Sequence, residues 1–186
     1  MIGFVSLRLE TVRLVIRAFD HGDADAWIAM LSDPEVRRFL PAGPVSTRET
    51  FECARESRHA MEHEIGYAMW AVEERATGTF IGQCGLRPAK SMDENAGSEI
   101  DLGYHFARTS WNRGFATEAA VAVLAHGFGP LGLDSIMAVA APKNIGSWRV
   151  MEKAGMRYER HAEYYGSKNM KKYVAQQEWW TLPLSP

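Results

Sequence analysis

The hydrophobic pattern predicts an α/β (α+β) fold: helices laid on a mostly antiparallel sheet, in a single domain spanning residues 1-186. Three observations carry this. Segments with two-residue alternation are interleaved with helical segments in the order strand, helices, three strands, helix, strand, helix, two strands. No repeat or interdomain linker interrupts them. The run Asp101 to Thr117 (DLGYHFARTSWNRGFAT) reads as an apolar strand feeding a small-residue turn at a helix start. Such a helix start presents unpaired N–H groups and the positive end of its dipole, which suits a phosphate or pyrophosphate. The same turn also serves as a plain strand–helix connection.

Residues 5–18 alternate Leu7, Leu9, Val12, Leu14 and Ile16 with charges, a half-buried strand with an irregularity near Glu10-Thr11. Asp20 caps a helix whose first turn holds Asp23 and Asp25 and whose apolar stripe is Ala24, Trp27, Ile28 and Leu31. Asp33-Pro34 restarts a short helix, and Pro41-Ala42-Gly43-Pro44 breaks the chain. Ser46-Thr47-Arg48-Glu49 is a capping-box signature for a third helix reaching about Glu64. Tyr67–Val72 and Thr79–Leu86 form a hairpin around Glu73–Gly78, and residues 87–98 an exposed loop. After the strand at Glu99–Phe106, an alanine-rich helix reaches about Phe128, and Ser135–Ala140 is a further strand. Asn144 caps a last helix that ends at Lys153-Ala154-Gly155. Met156–Tyr164 and Lys172–Thr181 close the sheet.

Composition narrows the function. Hydrophobic residues at 46% and charged residues at 24% are ordinary for a globular protein, and 186 residues bury a sizeable core. A net charge of -2 argues against phosphate-neutralising nucleic-acid binding. No apolar run approaches the ~20 residues of a membrane span. MIGFVSLRLETVRL lacks the features of a signal peptide, and only Cys53 and Cys84 occur, so a reducing cytoplasm is the expected location and both thiols are expected to be buried. His59 and His63 stand four apart, but HAMEH is not HExxH and no third ligand is evident, so no metal is expected.

Trp111 to Ala116 reads W-N-R-G-F-A, and a later box combines Asn144, Ser147, Glu152, Lys153 and Gly155. With the opening LRLETVRLVIRAFDHGDADAWIAMLSDPEVRRFL, these resemble the GNAT superfamily of acyl-CoA N-acetyltransferases, most closely the ribosomal-protein-alanine acetyltransferase subgroup. The general loop pattern is Q/R-x-x-G-x-G/A; Trp at its first place departs from it, as this subgroup often does. The resemblance covers nearly the whole chain.

It implies a GNAT-like mixed, twisted sheet, mostly antiparallel and flanked by helices, splayed between the strands at 99–106 and 135–140. The pantetheine arm of acetyl-CoA would pair with the backbone of Tyr104, His105 and Phe106. The pyrophosphate would rest on the loop Trp111, Arg113, Gly114, Phe115, Ala116 and Thr117, and Asn144 and Ser147 would face the cofactor. The implied partners are acetyl-CoA and an amine acceptor, with no nucleic acid, no membrane and no metal; pairing of two copies stays open.

Acetyl transfer needs a neutral amine, donors for a developing oxyanion and a proton for the thiolate. An alkyl ammonium has a pKa near ~10 and an α-amino group near ~8, so a base or water chain is required. Asp101 and Glu99 alternate on one strand face with His105 and are the base candidates, water-mediated for the carboxylates. Relatives often carry an aromatic residue at the His105 position, so space-filling is its other reading. The N–H near His105 or Phe106 is the oxyanion donor candidate. Many relatives place a Tyr acid where this chain has Met151, which leaves Ser147, directly or through water, as the acid candidate; a plain helix-start role for Ser147 stays open. Acid residues near the site, Asp93, Glu94 and Glu99, admit a cationic acceptor, and Trp148, Tyr164 and Tyr165 either line its slot or pack. A CoA-binding sensor or scaffold without turnover is the rival to an enzyme.

Overall fold

The computed structural model describes residues 6–40, 45–90 and 98–183. Eight strands lie in the order β1-β2-β3-β4-β5-β6-β8-β7. They are β1 (Arg8–Glu10), β2 (Leu14–Arg17), β3 (Met69–Glu74), β4 (Thr79–Pro88), β5 (Ile100–Phe106), β6 (Ser135–Ala140), β7 (Arg157–Tyr164) and β8 (Ser167–Gln176). Every neighbouring pair is antiparallel except β5 and β6. The helices are α1 (Ala24–Ser32), α2 (Pro34–Arg37), α3 (Arg48–Ile65), α4 (Phe115–Phe128) and α5 (Ile145–Lys153).

Two apolar layers sandwich this sheet. On one face α4 and α5 pack Phe115, Leu124 and Met151 against Trp70, Leu86, Leu102 and Ile136, all essentially sealed from water. On the other, α1 and α3 bury Trp27 and Phe51 against Ala71 and Phe80. Each large side chain so buried contributes roughly 1.5–3 kcal/mol before entropy is counted.

Several boundaries differ from the sequence expectation. Residues 5–18 are two strands, not one: the irregularity near Glu10-Thr11 is a complete reversal, with β1 folded back on β2 and Val12 at the exposed tip. The turn is held from a distance, because Glu118 accepts the Thr11 hydroxyl (2.6 Å) and the Arg13 amide (2.9 Å). Asp20 caps a short 3₁₀ turn leading into α1, with Asp23 completing the capping box. The third helix is capped by Thr47 with Thr50 rather than by Ser46 with Glu49. A hydroxyl at Thr50 reaches back to the Thr47 amide at 2.8 Å, so the shorter side chain supplies the box.

Strand β8 starts at Ser167, not Lys172, and stops at Gln176, not Thr181. Tyr165 (φ 55°) and Gly166 (φ 71°) form a two-residue turn with both residues left-handed, the geometry that matches strand twist in a hairpin. The hairpin tip then docks on the end of β4, where the Tyr165 amide donates to the Lys90 carbonyl (3.0 Å). The expected break at Pro41–Pro44 and the residues Asp93 and Glu94 lie outside the described residues. Cys84 is buried as expected, whereas Cys53 is exposed. Among the described residues no helix is long and apolar enough to cross a membrane.

Candidate active site

The turn after β5 is built from left-handed residues. Asn112 (φ 59°) and Gly114 (φ 81°) bend the backbone so that successive N–H groups face one side, a nest for an anion. Gly114 is the N-cap of α4 and offers no side chain to bond the helix amides. The first intrahelical bond is Glu118 N–H to the Gly114 carbonyl (3.1 Å). The amides of Phe115, Ala116 and Thr117 precede that bond and meet no acceptor among the described residues.

The charges around the nest differ from expectation. The Arg113 guanidinium turns away to Glu74 (2.6 Å) and lies over the Phe115 ring (4.5 Å). Arg13, from the β1–β2 turn, reaches the loop instead: its Nη1 donates to the Arg113 carbonyl (2.9 Å) and its Nε pairs with Glu118 (2.7 Å). No sequence signal connects Arg13 with a loop a hundred residues later; only the sheet order brings them together.

Beside this loop the sheet opens. A single register pair, Asp101 with Met137, joins β5 to β6, and beyond it the strands part. Which backbone groups line the gap follows from hydrogen-bond alternation on the β4 side. Ala89 N–H bonds Glu99 O and Ala107 N–H bonds Ile81 O, so the odd-numbered residues of β5 spend their amides and carbonyls on β4. The even-numbered residues, Tyr104 and Phe106, turn theirs toward the gap. His105 is thus removed from the expected backbone set, because its main chain pairs with Gln83. The Phe106 carbonyl is also taken, by the Trp111 indole N–H at 2.8 Å. Trp111 closes the end of the strand, and the Phe106 N–H remains the one expected oxyanion donor facing the gap.

Across the gap, Asn144 caps α5 by accepting the Ser147 amide (3.3 Å). Tyr104 bridges from β5: its hydroxyl donates to the Ser147 carbonyl (2.7 Å) and lies 3.0 Å from Ser147 Oγ. Burial pushes the Tyr104 phenol above its ordinary pKa despite the bond to Ser147, so it stays protonated. Sequence reasoning assigned Tyr104 only a backbone role and missed this hydroxyl contact. Met151, at the place where many relatives carry an acid, is buried among the core residues of α4 and α5.

The opposite face of β4 and β5 gathers the polar side chains. Gln83 Oε1 accepts from Trp27 Nε1 (3.0 Å) and Arg58 Nη2 (3.1 Å), which fixes its amide; Nε2 then donates to His105 Nδ1 (2.7 Å). This assigned network makes His105 the Nε2–H tautomer. Burial, then the charges of Arg87 and Arg58, push its pKa down to about 3. A neutral imidazole with its only lone pair occupied is a donor, not a general base; this corrects the His105 assignment.

Asp101 is buried and receives Arg87 (2.9 Å) and the Tyr165 hydroxyl (2.5 Å), all on Oδ2. Glu99 is bonded by Tyr164 (2.5 Å) and by Lys172 (2.7 Å), itself also paired with Glu159 (2.8 Å). Both carboxylates are therefore structural partners first. Tyr164 packs in the interior and Tyr165 lies against Arg87 (4.6 Å). Trp148 donates to the Pro142 carbonyl and lies under Lys171 (4.2 Å). His59 is bonded to the Phe19 carbonyl (3.0 Å), an ordinary partner for a helix histidine over a core. Arg58, Gln83 and Arg87 were all missed; the one legible hint was a polar Gln83 inside an otherwise apolar strand.

An uncapped helix start beside two parted parallel strands, with a hydroxyl pair joining β5 to α5, is an arrangement chemically suited to a diphosphate ester with an extended tail. Comparison with known proteins agrees. Residues 13–157 match the acetyltransferase (GNAT) domain, and the chain belongs to the GNAT acetyltransferase family, which makes it an acyl-CoA-dependent N-acetyltransferase. It is similar to the uncharacterised protein YkkB of Bacillus subtilis, 33% identical over 82% of this chain and 87% of that one. The uncharacterised N-acetyltransferase YoaA of the same organism is 30% identical, covering 87% and 89% respectively. Among solved structures, a GNAT-family acetyltransferase from Bacillus anthracis superposes with a TM-score of 0.72 at 27% identity, covering 92% of this chain and 99% of that one. The ribosomal-protein-S5-alanine acetyltransferase of Vibrio fischeri shares the fold, with a TM-score of 0.75 at 16% identity over 94% and 99%.

Proposed function

We propose that residues 1-186 act as one catalytic domain that moves the acetyl group of acetyl-CoA to a primary amine by direct attack, both substrates being bound together. The observation that carries this is the set of unpartnered amides after Gly114 lying next to the gap between β5 and β6. Gly114 holds a left-handed backbone (φ 81°) that side-chain-bearing residues rarely adopt, and a Cβ there would meet only the movable Arg13 Nη2 at 3.2 Å. The amides of Phe115 to Thr117 bind the diphosphate, and Tyr104 pairs with the pantetheine through its free backbone groups, while Phe106, whose carbonyl Trp111 occupies, offers only its N–H, to the thioester end. CoA supplies the activated acetyl thioester.

The Phe106 N–H polarises the thioester carbonyl, a role that elsewhere contributes about 3–4 kcal/mol. Ser147 Oγ delivers a proton toward the sulfur in place of the acid missing at Met151 and regains one from solvent water, while the Tyr104 hydroxyl, which donates to the Ser147 carbonyl and lies 3.0 Å from Oγ, holds that side chain in position. A thiol of pKa ~8.5 leaves readily near neutral pH, so this donor assists rather than enables. Deprotonation of the amine runs through water to Asp101, whose protein bonds fall on Oδ2 and leave Oδ1 as the oxygen facing that water. We place the enzyme in the cytoplasm, acting without a metal.

Thiol release from acetyl-CoA over a panel of primary amines tests this reading. Saturable release with at least one amine class is expected. Saturable CoA binding with no thiol released on any acceptor would favour a sensor or scaffold without turnover.

A further inference from the structure

The face of β4 and β5 beneath α1 and α3 carries more positive charge than the chain itself balances. Arg58, from α3, lies over the rings of Phe19 (4.4 Å) and Trp27 (5.9 Å) and is charge-coupled to Arg87. Its Nη2 bonds neutral Gln83, while its Nη1 is sealed from water and has no hydrogen-bond partner among the described residues. Two guanidiniums therefore share a region with one carboxylate, Asp101, which Arg87 already engages. The neighbouring acids are committed elsewhere among the described residues: Glu52 to Arg55 and His21, Glu73 to Arg17, Glu62 to the Leu7 amide, and Glu99 to Lys172.

A buried guanidinium with an orphaned nitrogen is costly, because the unmade bond forfeits the full desolvation of that group. Burial, followed by the charge of Arg87, holds Arg58 down to about 10, which reports the same missing anion. His105 adds a second donor aimed by the same network, since Gln83 fixes its proton on Nε2. Gly103 stands between Asp101 and His105 on this strand face without a side chain; a Cβ there would meet Met69 Sδ at 3.2 Å and the Arg87 Cζ at 3.6 Å.

We propose that the acceptor amine is a small molecule that also bears a carboxylate, and that Arg58 Nη1 and His105 Nε2–H together hold that carboxylate against β4 and β5. This rests on the transferase reading and narrows its acceptor class. It also reverses the cationic acceptor that Glu99 suggested, because Lys172 and Tyr164 already satisfy that carboxylate.

The test pairs turnover with binding. α-Amino acids, their amides and their decarboxylated amines are compared by thiol release, with short peptides blocked at the C-terminus as a further arm. A site that bonds a substrate group rejects analogues lacking it strongly, so kcat/KM for the acid should exceed that for the amide or amine by at least about 100-fold. Arg58→Met keeps the stem over Phe19 and should erase most of that ratio through KM for the acid, with CoA affinity unchanged. Arg58→Lys should restore part of it, and thermal unfolding of both variants checks folding. Calorimetry of acetylated amino acids against the CoA-loaded protein reads the carboxylate site without turnover. Equal rates for acid and amide, or preference for the blocked peptides, overturns the inference while leaving the transferase reading standing. Arg58-dependent binding of the acetylated acids without thiol release on any amine ends the transferase reading and keeps the carboxylate site. Absence of that binding overturns the site.

Discussion

Replacing Gly114 separates the cost of a left-handed backbone from the cost of losing an anion cradle. The residue sits at φ 81°, and a Cβ there meets only Arg13 Nη2, at 3.2 Å, the movable end of a flexible side chain. Steric crowding is therefore minor, and the penalty for Gly114→Ala is the ~1–2 kcal/mol an L-residue incurs in the left-handed region. The folded protein either bears that strain or relaxes the loop. If it relaxes, binding must restore the strained form, so the affinity loss from strain is bounded by the same ~1–2 kcal/mol, about 5- to 30-fold. Gly114→Val adds a branched Cβ whose methyl groups project where the diphosphate would approach, so its loss should exceed that bound while its fold persists. Calorimetric titration with CoA, alongside thermal unfolding, measures both quantities. CoA affinity unchanged in Gly114→Val would refute the cradle. A loss of the same size for Ala and Val would show that backbone strain, not ligand bulk, sets the effect.

Further outcomes are expected on the same reasoning. Tyr104→Phe and Ser147→Ala should each lower kcat about 10- to 100-fold with CoA affinity unchanged, and the double variant should lose little more than either single one, since Tyr104 acts by positioning Ser147. Stability should fall as pH drops below ~6.5, because the unfolded chain binds a proton at His105 that the folded chain refuses until about pH 3; this contributes up to ~1.4 kcal/mol per pH unit. Denaturant unfolding of His105→Gln across that window should show a shallower pH slope than the parent, and an identical slope would remove the assignment. Glu118→Ala should cost roughly 1–3 kcal/mol by releasing the Thr11 hydroxyl and Arg13 amide, and should weaken CoA binding by loosening Arg13 from the loop.

Much of the fold was legible because it is written locally. Alternation in Leu14–Arg17 and Ile100–Phe106, Asn144 before α5 and Gly155 after it each mark an element within a few residues of itself. The loop that carries the proposed cradle was legible for the same reason, being one strand, one glycine and one helix start in sequence. Errors arose where a distant partner decides. Glu118 turns residues 11–13 into a reversal rather than a bulge, and Glu74 draws Arg113 away from the ligand side. Glu99 and Asp101 look like free bases in the sequence, and only Lys172, Arg87 and the hairpin tip carrying Tyr164 and Tyr165 show them occupied. Arg58 has no local signature at all: its significance is that, among the described residues, it and Arg87 share one carboxylate, Asp101, within a layer assembled from α1, α3, β4 and β5.

The central claim is that main-chain amides after Trp111 grip a diphosphate while the open edge of β5 holds its tail. Amide proton–nitrogen correlation spectra recorded during titration with CoA address it residue by residue. The amides of Gly114 to Thr117 should shift furthest, Tyr104 and Phe106 should gain protection from hydrogen exchange, and His105, paired to Gln83, should stay protected throughout. Saturable CoA binding that leaves Gly114 to Thr117 unshifted would contradict the account.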